Sequence, residues 1–111
     1  MNENVRRLIE GGLHEENLRK LASLCTDRFA DGPAIYGTLT YIFHSLADEY
    51  DHQGIDATRY ELILSTIKEP ILLLLEVEED PAAVLNRLNE VFQAFEALKR
   101  HQPHLQVKPT S

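Results

Sequence analysis

The sequence predicts an all-α fold, an up-and-down helical bundle of four to five helices in which the third and fourth helices form a central antiparallel hairpin. Apolar residues recur at helical spacing along almost the whole chain, and residues typical of helix starts and stops divide it frequently. The connections between the long helices are short, which favours antiparallel neighbours. At 111 residues, with 43% apolar and 26% charged residues, one globular domain is expected.

The first two helices are predicted over residues 3–10 and 15–29. The first has Val5, Leu8 and Ile9 on one face and ends at Gly11-Gly12, because glycine readily terminates a helix. The second has a longer apolar stripe, which we expect to face the core: Leu18, Leu21, Ala22, Cys25 and Phe29.

The third and fourth helices are predicted over residues 33–53 and from Asp56 onwards. Pro33 suits the first turn of a helix, where its missing N–H is harmless, and Asp56 is a good N-cap. Pro70 interrupts the fourth helix, and a kink is expected there because the apolar stripe continues in phase through it. A short buried strand over the apolar run Ile71–Leu75 is the alternative, since so short a run is ambiguous by periodicity.

The fifth helix is predicted over residues 81–100, starting from the cap and proline of Asp80-Pro81. Its expected core face is Val84, Leu85, Leu88, Val91, Phe92, Phe95 and Leu98. Residues 101–111 contain two prolines and little to bury, which predicts a flexible C-terminal tail after a single domain over residues 1–100.

The composition predicts a cytoplasmic protein without membrane contact. Cys25 is the single cysteine of the chain and cannot form an internal disulfide, and the N-terminus lacks the pattern of a secretory signal. The longest apolar run, Ile71–Leu75, is far shorter than the ~20 residues that span a bilayer.

Negative charge is concentrated in the middle of the chain. Residues 29–86 hold eleven acids and two bases, whereas the whole chain has a net charge of −7. This charge repels nucleic acid and favours a basic protein partner. Several of the acids end helices, where the macrodipole disfavours negative charge, so a role in binding is the interpretation. The predicted partner-binding residues are Asp31, Asp48, Glu49, Asp51, Glu76, Glu78, Glu79 and Asp80.

These features predict a non-enzymatic protein–protein interaction module, such as an adaptor, inhibitor or regulatory subunit, that presents acidic helix ends to a basic partner. Cys25 lies on a predicted core face, where a thiol is a small apolar residue rather than a nucleophile. Gly11-Gly12 lacks the lysine and spacing of a phosphate-binding loop. No enzymatic activity and no cofactor are therefore expected.

The alternative is a small-ligand or metal-binding bundle that uses a polar stripe on the third helix. Tyr41, His44, Asp48 and His52 follow one another at helical spacing, and imidazole with carboxylate suits zinc or iron. His44 and His52 are about 12 Å apart along the helix axis, too far to share one ion, so the stripe supplies at most two ligands. A solvated polar face explains the same pattern.

More apolar residues are present than one face per helix requires. The residues beside the predicted stripes are Leu24, Leu62, Leu72, Leu73 and Val77. They are covered either by the short first helix or by a second copy of the chain, so a homodimer is a further expectation.

Overall fold

The computed structural model describes residues 3–53 and 56–101, and every regular element in them is helical. The α-helices are α1 (Glu3–Glu10), α2 (Glu15–Asp27), α3 (Pro33–Gln53), α4 (Ala57–Ile63), α5 (Glu69–Glu76) and α6 (Pro81–His101), with a 3-10 turn at Phe29–Asp31 and a π-helical turn at Leu64–Lys68. The all-α prediction is confirmed, and the strand considered for Ile71–Leu75 is wrong. Apart from His101, the predicted tail over residues 101–111 lies outside the described residues.

No helix among residues 3–53 and 56–101 combines the length and the apolar content that crossing a bilayer requires.

The second helix ends two residues earlier than predicted. Arg28 leaves the α-helical conformation, with φ −97° and ψ 6°, and the chain continues as the 3-10 turn. Phe29 therefore does not continue the buried stripe of α2, and its side chain is 52% exposed. Its ring lies over the surface of α3 at Gly37, where an added Cβ would come within 3.0 Å of the ring. The prediction that Phe29 is a core residue is wrong because the helix on which it was placed has already ended.

The segment from Ala57 to Glu76 is helical throughout despite Pro70. Asp56 caps its start as predicted, since its Oδ1 accepts a 2.9 Å hydrogen bond from the backbone N–H of Arg59. Pro70 cannot donate a backbone hydrogen bond, and the π turn Leu64–Lys68 immediately precedes the helix that contains it. The predicted interruption therefore takes the form of a change in hydrogen-bond pattern, and the buried stripe continues across it through Ile63, Ile67, Ile71 and Leu74.

Buried apolar side chains from all six helices form one core cluster. The most extensive pairings are those of α2 with α3 and of α5 with α6, while α1 packs on α2 and α6 also contacts the π turn. The up-and-down order with a central hairpin of the third and fourth helices stays a prediction.

The core face of α6 is narrower than predicted. Leu88, Val91, Phe95 and Leu98 are buried, but Leu85 is 69% exposed and Phe92 is 45% exposed. At about 100° per residue, these two side chains lie at the edge of the stripe, beyond the reach of the neighbouring helices. The apolar residues beside the predicted stripes, for which the first helix or a second copy was the expected cover, are half-buried within this chain: Leu24, Leu62, Leu72, Leu73 and Val77.

The turn between α1 and α2 depends on Gly12, which has a positive φ of 115°. A Cβ at this position would also come within 2.9 Å of the Tyr60 hydroxyl, so α4 restricts the same turn. The turn is further held by Asn17, whose side-chain amide donates a 2.8 Å hydrogen bond to the carbonyl oxygen of Gly12.

We expect Gly12→Ala to lower the free energy of unfolding by about 1–3 kcal/mol, because the backbone conformation and the Tyr60 contact both disfavour a side chain. Gly11→Ala is the matched control, since a Cβ there has ordinary contacts of 3.4 Å or more, and a change within about 0.5 kcal/mol is expected. Urea unfolding of the two variants measures the difference. Equal stabilities would contradict the assignment of strain to Gly12.

Candidate functional site

The eight predicted partner-binding acids differ in their exposure to solvent. Glu49 is buried and Glu78 is half-buried. The exposed members of the set are Asp31, Asp48, Asp51, Glu76, Glu79 and Asp80. Six of the eight predicted residues are thus exposed, fewer than the sequence predicts.

Glu49 is used inside the fold. Its side chain is 3% exposed and forms an ion pair with Arg59, which is 17% exposed. This pair connects the last turns of α3 to the first turn of α4. Asp51, also near the end of α3, forms an ion pair with Arg19 of α2, although both of these side chains remain well exposed.

Glu78 anchors the turn between α5 and α6 to the start of α3. Its Oε2 accepts a 2.8 Å hydrogen bond from the hydroxyl of Tyr36, which is a fully buried residue. The Arg28 guanidinium lies 5.9 Å from the centre of the ring of this tyrosine. Burial, followed by the hydrogen bond and the charge of Glu78, raises the pKa of Tyr36 well above its usual value.

The backbone of this turn is hydrogen-bonded as well. The N–H of Val77 donates to the carbonyl of Leu74 at 3.2 Å, and the N–H of Asp80 donates to the carbonyl of Val77 at 2.9 Å. Asp80 then caps α6, because its Oδ1 accepts a 3.3 Å hydrogen bond from the N–H of Ala83. Hydrogen bonds within the chain therefore hold the backbone of the turn that carries these carboxylates.

We call the exposed carboxylates around this turn the acidic pole: Asp31, Glu76, Glu79 and Asp80. Asp31 is not part of this turn; it is included as the exposed acid of the 3-10 turn, five residues before Tyr36, whose hydroxyl contacts Glu78. The last turn of α5 contains no basic residue. Negative charge at that helix end is unfavourable by about 0.3–1 kcal/mol per exposed group.

The polar stripe of α3 is arranged less favourably for a ligand. Tyr41, His44 and Asp48 are exposed, but the side chain of His52 lies outside the described residues. The described part of the chain has no group of three or more His, Cys, Asp or Glu side chains that could hold a metal ion. Tyr41 stacks edge-on against Phe95 of α6, with ring centres 6.0 Å apart. The metal site of His44, Asp48 and His52 stays a prediction.

Cys25 is buried, as predicted. Burial raises the pKa of its thiol to about 12, and the nearby charge of Arg28 opposes this only in part. The thiol is therefore protonated at neutral pH, which makes it a poor nucleophile in the folded chain.

Two of these contacts were not found from the sequence. Arg59 is one of two bases in the acidic segment 29–86, and that rarity could have indicated an internal ion pair. No comparable signal marked Tyr36, because its partner Glu78 lies 42 residues away in the chain.

Comparison with known protein families, curated proteins and solved structures gave no match to this chain. Function is therefore inferred from the geometry and charge of the described residues.

We expect Arg59→Met to lower the free energy of unfolding by about 2–4 kcal/mol, because Glu49 then keeps a buried charge without its Arg59 partner. Arg19→Met is the control, because the pairs it removes are exposed, and its effect should be much smaller. The double variant Glu49→Gln/Arg59→Met should recover part of the loss. Thermal and urea unfolding provide the measurement; a double variant less stable than Arg59→Met would contradict this role.

We expect stability above pH 10 to depend on Tyr36. Because the folded-state pKa is raised, its contribution is complete below about pH 10 and is lost as pH rises through the raised pKa. The free energy of unfolding of the unmodified protein should therefore fall more steeply above pH 10 than that of Tyr36→Phe. Urea titrations across this pH range test the difference, with Tyr41→Phe as the exposed control. Identical slopes for the unmodified protein and Tyr36→Phe would rule this contribution out.

Proposed function

We propose that the protein is a non-enzymatic protein–protein interaction module, such as an adaptor, inhibitor or regulatory subunit, which binds a basic partner through the acidic pole. The observation that carries this proposal is the exposure of Glu76, Glu79 and Asp80 on one hydrogen-bonded turn, with Glu76 in the last turn of α5, where its charge is unfavourable. A cost of this kind in the free protein is recovered when a cationic surface binds.

The rigidity of the turn supports the same proposal. Glu78 is held by Tyr36, and Asp80 caps α6, so the backbone that carries Glu76, Glu79 and Asp80 has contacts within the chain before a partner arrives. A preordered surface loses less conformational entropy on binding than a mobile one does. The other acidic end of α3 is less suited to this role, since Glu49 is buried in its ion pair with Arg59.

The finer bundle arrangement is part of the proposal. An up-and-down bundle with a central antiparallel hairpin requires the start of α3 to lie near the end of α5 and the end of α3 to lie near the start of α4. The Tyr36–Glu78 hydrogen bond and the Glu49–Arg59 ion pair each support one of these requirements.

The test is capture of partners from source-cell lysate by the purified protein and by a neutral-pole variant, Asp31→Asn/Glu76→Gln/Glu79→Gln, in which three of the four carboxylates are neutralised and Asp80 is kept because it caps α6. We expect the unmodified protein to retain a basic protein in stoichiometric amount at low salt and to release it at high salt, because charge contacts between exposed groups are screened. The neutral-pole variant should retain much less of it. Mass spectrometry identifies the protein that is lost.

The matched control is Glu10→Gln/Glu61→Gln/Glu69→Gln, which removes the same number of exposed carboxylates elsewhere on the surface. It should capture the basic partner as the unmodified protein does. Equal loss in both triple variants would show that net charge matters and the pole does not. Equal capture by the unmodified protein and both variants would exclude the pole as the binding site.

A further inference from the structure

The faces of the helical segment from α4 to α5 run straight across the π turn. Buried side chains are spaced four residues apart: Ile63, Ile67 and Ile71. Exposed side chains have the same spacing: Glu61, Ser65 and Glu69. In a regular α-helix, a step of four residues turns about 40° beyond a full turn, so each row would wind about 80° in two steps. A π-helical turn uses one residue more, so the eight steps from Ile63 to Ile71 count as about seven, which is two turns to within about 20°.

Pro70 accounts for the position of this turn. The ring of a proline inside a helix clashes with the carbonyl group four residues earlier, and the proline has no N–H to bond to it. For Pro70 that carbonyl group belongs to Thr66, which lies in the middle of the π turn Leu64–Lys68. A wider turn at this place gives the ring room, whereas a regular α-helical turn does not. The proline and the wider turn are therefore two parts of one arrangement.

We propose that Pro70 and the π turn act together as a device that sets the rotation of α4 relative to α5, so that both ends of the segment meet α3 at once. Arg59 of α4 pairs with Glu49 near the end of α3. Glu78, just after α5, accepts the hydrogen bond of Tyr36 near the start of α3. If the same residues formed a regular α-helix, α4 would be turned by about 100° relative to α5. The two contacts could then not both form.

Little within α4 itself fixes its rotation. The helix has seven residues, and Ile63 is its one buried side chain. A single apolar contact tolerates rotation because the hydrophobic effect is non-directional. Arg59 and the adjacent Tyr60, whose hydroxyl lies near Gly12, both need one particular rotation. Since α5 is held by its extensive pairing with α6, α4 is the part that turns when the π turn is lost.

The test is a double-mutant cycle between Pro70 and Arg59, measured by urea unfolding. Arg59→Met should raise the unfolding equilibrium constant of the unmodified protein, because Glu49 loses its partner. In Pro70→Ala the pair is already lost, so the same substitution should raise that constant by a factor at least about tenfold smaller. Pro33→Ala is the matched control, since Pro33 is the first residue of α3, and the effect of Arg59→Met should be unchanged there. An undiminished effect in Pro70→Ala would overturn the proposal.

Deletion of Ser65 from the Pro70→Ala chain keeps the test decisive even if Pro70→Ala does not fold. It leaves a regular α-helix in which Ile63 and Ile71 are seven steps apart, close to their original relative rotation. Ser65 is exposed, so its removal costs little packing. The variant should be more stable than Pro70→Ala and should regain the full effect of Arg59→Met. A deletion variant that is no more stable than Pro70→Ala would contradict the proposed role of the extra residue.

The turn itself can be observed by NMR couplings across hydrogen bonds. In the unmodified protein they should join N–H groups at the end of the π turn to carbonyl groups five residues earlier, and in Pro70→Ala to carbonyl groups four residues earlier. Five-residue couplings that persist in Pro70→Ala would show that packing sets the turn without the proline, which overturns the proposal. Because none of these measurements involves a basic partner, their failure leaves the function proposed for the acidic pole unaffected.

Discussion

The buried ion pair of Glu49 and Arg59 supplies a directional constraint that the apolar core cannot. Apolar packing accounts for the close pairs of α2 with α3 and of α5 with α6, but the hydrophobic effect is non-directional and tolerates sliding of one helix along another. A charge that loses its hydration must meet its partner at one position. We infer that this pair sets how far α3 extends past the start of α4. The Tyr36 hydroxyl then has Glu78 within hydrogen-bond distance at the other end of α3.

This constraint divides the acidic residues into two kinds. Glu49 and Glu78 act within the fold, because each bonds to a side chain from another helix. Their contacts fix the segments that carry the exposed acids. The turn that carries Glu76, Glu79 and Asp80 is thus held by Glu78, which is itself an acid. One local cluster of acids therefore contributes both to the fold and to the proposed binding.

Much of the fold was predictable because its signals are local. Glycine, proline and apolar spacing mark the limits of α1 and α3. Asp56 caps α4 from the position directly before its first residue. The exposure of Leu85 and Phe92 was not predictable, since a periodic pattern identifies a face but not how far adjacent helices cover its edges. For the candidate site, the sequence located the exposed acids. It could not separate them from Glu49, whose burial depends on an interhelical partner.

The reactivity of the buried Cys25 thiol can be used to measure local opening of the fold. Its thiol is fully buried on α2, within the most extensive helix pairing of the described chain, and is protonated at neutral pH. A thiol reagent can then modify the folded protein only during excursions that expose this residue. The rate of labelling consequently measures how often the α2–α3 contact separates under native conditions, without a denaturant or an introduced probe.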